Sequence, residues 1–281
     1  MTTTATAAPA GTPTPAAPGQ NRFVLSMQTF GSVLWRDVFV TGREMLPFLA
    51  QVVIQPFFTL FIFGVVLPNG GYIDAAKFGP ILLPGVIALN GFLGALQNTT
   101  MPLVLDFSWT REIEDRLLAP MPITLVAVEK MVFGALRGFI AAALMVPIGL
   151  LMLQGVSWPA DKLLPLAGVV ALAALAGAAI GMTIGTLVPP RRINIMFAVI
   201  LTPLMFTGAT QFPWHGLTQL QWFQVVCAIN PLTYASEGMR DLLLHGQLQS
   251  IPLWIDVLAL LASLVVFGTI GIKGFMRRAL D

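Results

Sequence analysis

Charged side chains are scarce in this 281-residue sequence, and eight of its 28 fall between Asp106 and Lys130. Arg111, Glu112, Glu114, Asp115 and Arg116 stand together there, with Asp106 before them and Glu129 and Lys130 after. Arg111–Asp115 and Glu112–Arg116 have the i,i+4 spacing of helical ion pairs. Ile113, Leu117 and Leu118 form an apolar edge beside them, and Pro120 and Pro122 stop the helix. Such a segment is either a grip for a soluble partner or a solvated connector. A second candidate is Arg137, which lies about two turns inside an apolar run. An ionisable group at that depth marks a functional site by default, although the guanidinium can also snorkel to the surface or pair with Glu129. A third group is Glu237, Arg240 and Asp241, whose i,i+3 and i,i+4 spacing can lace a helix at the surface.

Other chemistry is missing from the sequence. It contains no G-x-x-x-x-G-K-[ST] for nucleotide phosphates, no H-E-x-x-H and no G-x-S-x-G. One cysteine, Cys227, allows neither an internal disulfide nor a multi-cysteine metal centre. No catalytic, cofactor or metal site is expected. No paired carboxylates are visible inside an apolar run, so no proton or sodium path is expected either.

The elements that must carry these residues are membrane helices. The chain is 56% hydrophobic and only 10% charged, with a mean hydropathy of +0.82. A soluble domain carries about 25% charged residues, so lipid is the solvent for most of the surface. The small net charge and dispersed cations argue against a nucleic-acid partner. A helix crosses the hydrocarbon with about 20 apolar residues. Six runs qualify, at 45–67, 78–105, 131–153, 163–188, 193–210 and 251–272. Glu129 and Lys130 are expected to mark the point where the third span leaves the water, and Asp256 to face water near the start of the sixth. In the fourth span, Gly177, Gly181 and Gly185 recur at four-residue spacing, which lets another helix approach closely.

The segment 215–236 also lacks charge, and cation counting decides whether it is a seventh span. With six spans, eleven cations share one side with both termini and three lie opposite; with seven, the split is nine to five. The positive-inside rule therefore favours six spans with cytoplasmic termini. Gln219, Gln221, Gln224, Asn230 and Pro231 suit a re-entrant hairpin on the outer side. Trp158, Trp214, Trp222 and Trp254 map to the outer interface, with Trp35 and Trp109 at the inner one. His215 and His245 fall on the outer face. Before the spans, Phe23, Met27, Phe30 and Leu34 share one helical face within 22–44, the pattern of a helix lying in the headgroup region. Residues 1–21, almost all Thr, Ala, Pro and Gly, read as a disordered tail with no secretory signal. The fold expected is an all-α polytopic membrane protein. An interfacial helix precedes a transmembrane domain at 45–281, with re-entrant helices between spans five and six.

From Phe206 to Gly246 the sequence FTGATQFPWHGLTQLQWFQVVCAINPLTYASEGMRDLLLHG resembles the C-terminal signature of ABC-2 type permeases. These are membrane subunits of ATP-binding-cassette exporters, here most like the daunorubicin-resistance and nodulation-export permeases. The likeness rests on Phe206–Gly208, Phe212–Pro213, the run Asn230, Pro231, Leu232, Thr233 and Tyr234, and then Glu237, Arg240 and Asp241. The Leu117–Ile123 segment is also similar. The resemblance implies a bacterial inner-membrane permease that pairs with a second one, identical or homologous, and with two copies of a separate ATPase that binds ATP and Mg. It further implies that 106–118, with Asp106, Arg111, Glu112, Glu114, Asp115, Arg116 and Leu117, is the coupling helix on that ATPase. The outer helices around Asn230–Arg240 become a lid over the exit, either fixed or moving. The expected cargo is an amphiphilic drug, lipid or lipid-linked glycan. An ion-coupled secondary transporter and a non-transporting membrane scaffold remain the alternatives.

Overall fold

The computed structural model describes residues 22–43, 45–107, 121–156, 158–244 and 246–280. The Ala-Thr-Pro tail and all but the first two residues of the 106–118 grip lie outside them. Among the described residues the architecture is entirely helical. In chain order α1 is Arg22–Arg43, α2 Met45–Phe61, α3 Ala75–Leu105, α4 Ile123–Met152, α5 Leu163–Leu187, α6 Ile193–Thr207, α7 Gln221–Ile229, α8 Pro231–Leu243 and α9 Leu253–Leu280. Among the described residues five helical stretches are long and apolar enough to cross a membrane: 52–69, 75–105, 123–152, 160–187 and 253–280. α6 has 15 residues, about 22 Å at 1.5 Å per residue, and is shorter than the 193–210 span expected for it.

Helix boundaries follow local chemistry. α2 passes at Ile62–Val66 into a π turn, with Leu67 N–H donating to Ile62 O, before its last turn at Leu67–Asn69. Pro68 has no N–H to give to the carbonyl four residues back, and the ladder widens just before it. α3 begins three residues earlier than its hydropathy suggests because Asp74 caps it, its Oδ1 accepting from Ala76 N–H at 3.0 Å. α4 begins eight residues before the expected Met131. Glu129 and Lys130 are therefore inside a helix and buried, not at its water edge. α9 runs on through Lys273, Arg277 and Arg278, whose charge suits a helix C-terminus.

α3 is the central element. It packs along α4 and α5 and is the most buried of the long helices, while α2 and α9 keep mostly exposed flanks. The glycine row of α5 works as its spacing suggests: a Cβ at Gly177 or Gly181 would run into the carbonyls of Phe92 or Leu96 on α3. Thr100 Oγ1 bridges the same seam, donating to Leu96 O at 2.8 Å and to Gly181 O at 3.0 Å. On the other side of α5, Thr183 Oγ1 donates to Phe267 O of α9 at 2.7 Å. α1 packs on α4. Its Phe30 and Leu34 are half-buried, but Met27, Trp35, Phe39 and Val40 are exposed. Trp222 and Trp254 are exposed like Trp35, whereas Trp214 turns inward.

Candidate functional site

The bundle has two ends. At the cap end the α6–α8 segment folds over α3. At the loop end α3 finishes and α4 begins. A polar groove runs between them.

At the cap end the signature residues are an anchoring network. Asn230 caps α8, its Oδ1 accepting from Leu232 N–H at 2.9 Å, while Pro231 occupies the first helical position, where no N–H is needed. Asn230 Nδ2 donates to Leu204 O at 2.7 Å and to Thr207 Oγ1 at 2.9 Å, tying α8 to the end of α6. Thr233 Oγ1 donates to Cys227 O at 2.7 Å, Tyr234 Oη to Ala228 O at 2.6 Å and Ser236 Oγ to Gly208 O at 2.9 Å. Leu232 is buried among them. Burial pushes the Cys227 thiol up from its ordinary value.

Arg240 is the largest wholly buried side chain described. Its Nε donates to Ile81 O of α3 at 3.1 Å, Nη1 to Ala209 O at 2.6 Å, and Nη2 to Thr210 O at 2.7 Å. Nη1 also donates to Glu237 Oε1 at 2.8 Å, and that oxygen accepts Trp214 N–H at 3.1 Å. The guanidinium thus collects two carbonyls of the loop that follows α6 and ties them to a carbonyl of α3. Ala209 has φ +48°, a left-handed backbone held by this anchorage. A Cβ at Gly85 would strike the Thr210 carbonyl and come within 2.8 Å of Arg240 Nη2, so only glycine lets the loop lie on α3.

This corrects the surface reading. Glu237 and Arg240 are wholly buried, because α8 sits among α3, α5 and α9 with its polar face toward the loop. Asp241 is half-buried and accepts from Ser250 Oγ at 2.7 Å. Asp256, expected in water, is also wholly buried.

At the loop end Lys130 Nζ pairs with Asp106 Oδ2 at 2.6 Å, both side chains 8% exposed. Phe107 stacks edge-on against Phe275, ring centroids 5.3 Å apart. Arg278 lies over the Phe107 ring at 4.9 Å and donates from Nη1 to Gly185 O at 3.0 Å. The entry to the 106–118 segment is thereby clamped to α4, α5 and α9. Asp106 serves this clamp. Arg111, Glu112, Glu114, Asp115, Arg116 and Leu117 lie outside the described residues.

Between the ends, α2, α3 and α6 enclose a cavity of about 100 Å³ lined by Gln55, Thr59, Asn90, Gln97, Asn98 and Gln211 together with apolar side chains. A second cavity of about 340 Å³ shares Gln97 and Asn98 and continues toward the loop end to Arg137 and Phe197. The Arg137 guanidinium sits 5.7 Å from the Phe133 ring. Amides offer neutral donors and acceptors, and Arg137 adds a cation. The amide stripe escapes a search for charge, yet its signal is present: Asn90, Gln97 and Asn98 fall at i, i+7 and i+8 on one face of a helix that carries no charge after Lys77.

Comparison with known proteins fits this architecture. The ABC-2 type transporter family profile matches residues 28–244. The chain belongs to the ABC-2 type transporter family. It is a membrane protein with transport-permease character, and membership implies in general a partnering ATPase subunit. A protein named "Putative transport permease ycf38" from Cyanophora paradoxa is 22% identical over 222 residues, covering 76% of this chain and 74% of that one. The match to the family takes in α1 from Gln28, the whole groove, and the cap as far as Leu244.

Proposed function

We propose that this chain is the permease subunit of an ATP-binding-cassette exporter, and the observation that carries the reading is the family match from residue 28 to 244. Two permeases, identical or homologous, pair with two separate ATPase subunits. Six spans cross a bacterial inner membrane, the short α6 completing its crossing through the segment to Thr210. Both termini and the loop end are cytoplasmic, and the cap end is outside. α1 lies in the headgroup region, as its exposed Met27, Trp35, Phe39 and Val40 suit. The grip is the 106–118 segment, which transmits ATPase motion through the Asp106–Lys130 and Phe107–Arg278 clamps.

The cargo is an amphiphile such as a drug, lipid or lipid-linked glycan. Its polar part follows the amide groove past Arg137, and its apolar part stays against the helix walls. Asn230–Arg240 act as a lid whose parts move together with the end of α6, because their hydrogen bonds tie them to it. Swinging a two-state transporter from 1:99 to 99:1 needs about 5.5 kcal/mol of differential binding. The ATPase supplies it. Purification from native membranes tests the reading: a cassette ATPase should co-purify and ATP should drive export of one amphiphile class. Gradient-driven transport without ATP would favour a secondary transporter, and assembly without transport a scaffold.

A further inference from the structure

We propose that the seam between α8 and α9 is a binding site for one proton, carried by Asp256 against the Glu237–Arg240 pair. The first turn of α9 places Asp256 against α8 with no solvent exposure. A Cβ at Gly238 would lie 3.3 Å from Asp256 Cβ and 3.4 Å from its Oδ2, so the carboxyl rests on the open glycine side of α8, one residue from Glu237. Neither Asp256 oxygen has a hydrogen-bond partner among the described residues, nor has Glu237 Oε2.

The charges around this point do not balance. Arg240 gives its other N–H groups to the carbonyls of Ile81, Ala209 and Thr210 and meets a single carboxylate oxygen, Glu237 Oε1. One guanidinium answers one carboxylate, and the second buried acid is in excess. An ionised carboxylate without a partner is far more costly in such surroundings than the neutral acid, which also gains an O–H donor. Two neighbouring acids hold one proton between them for the same reason.

Among the described residues no other cation compensates. On α8 the groups nearest Asp256 are Tyr234, Glu237 and Asp241, the last receiving Ser250 Oγ, while Arg240 turns to the α6–α7 loop and α3. α5 carries no ionisable side chain. On α4, Arg137 lines the groove beside α3 and α6, and Glu129 and Lys130 lie at the loop end. No group of three acidic, histidine or cysteine side chains suited to a metal ion occurs among the described residues. A proton is thus the ligand that fits, and its loss places like charges across the seam and drives the cap away from α9.

Infrared spectroscopy of the purified full-length protein tests this. At neutral pH the wild type should show a protonated-carboxyl C=O band that shifts on side-chain ¹³C-aspartate labelling. Asp256→Asn should abolish the band and unfold at the wild-type temperature. Asp256→Glu should keep a band that no longer responds to the aspartate label. Absence of the band, or a band unchanged by both Asp256 substitutions, overturns the proposal. Thermal stabilisation by sodium chloride relative to choline chloride, with no such band, overturns it in favour of a metal cation. Should Asp256→Asn fail to fold, Asp256→Glu and the labelled wild type still decide.

Discussion

Arg240 shows how one side chain can hold a substructure together. It connects α3, the α6–α7 loop and α8 through four separate acceptors. Replacing it by Met should leave Glu237 buried without its cation and the Ala209 and Thr210 carbonyls without this donor, a loss of about 3–5 kcal/mol. Arg240→Lys should also destabilise, because a single ammonium cannot reproduce the fork. Glu237→Gln, whose carbonyl still accepts from Trp214 and Arg240, should be clearly milder. Thermal unfolding of the three variants in detergent gives the order. The Asn230–Pro231 pair was legible as a break between two short helices, whereas the cap that Asn230 forms on α8 came from the structure. The burial of Glu237, Arg240 and Asp256 was not legible. Spacing identifies which side chains share a face, but the carbonyl-rich loop that makes an inward polar face favourable comes from a distant part of the chain.

At the scale of elements, local signals worked where the partner is near in sequence and failed where it is far. Five expected spans appear as long helices, and the glycine row of α5 meets α3 as its spacing indicated. Gly181→Val should force α5 off the Leu96 carbonyl and destabilise by about 1–3 kcal/mol or more, measurable in the same unfolding assay. Glu129 and Lys130 looked like a helix end because Lys130's partner, Asp106, is 24 residues away. Asp106→Lys should weaken the loop-end clamp, and the exchange Asp106→Lys with Lys130→Asp should recover part of the loss in thermal stability. Between them, the charge reversal of Glu112, Glu114 and Asp115 to Lys should separate ATP hydrolysis from export while the protein still inserts. Transport at the wild-type rate in that variant would refute the grip assignment.

For the whole molecule, hydropathy and the scarcity of charge made the membrane class and the helical architecture legible, and the Asn230–Tyr234 signature made the family legible. The amide groove was harder to see, because it is built from uncharged residues on three helices that only the packing brings together. In the proposed export cycle this polar path, flanked by a clamp at one end and an anchored cap at the other, is worked by the partner ATPase. The most direct test is reconstitution of the complex purified from native membranes into vesicles. Co-purification of a cassette ATPase, with ATP-dependent movement of an amphiphile that the charge-reversed 112–115 variant loses, is the result predicted. A complex that lacks an ATPase and moves nothing in response to ATP would contradict the account.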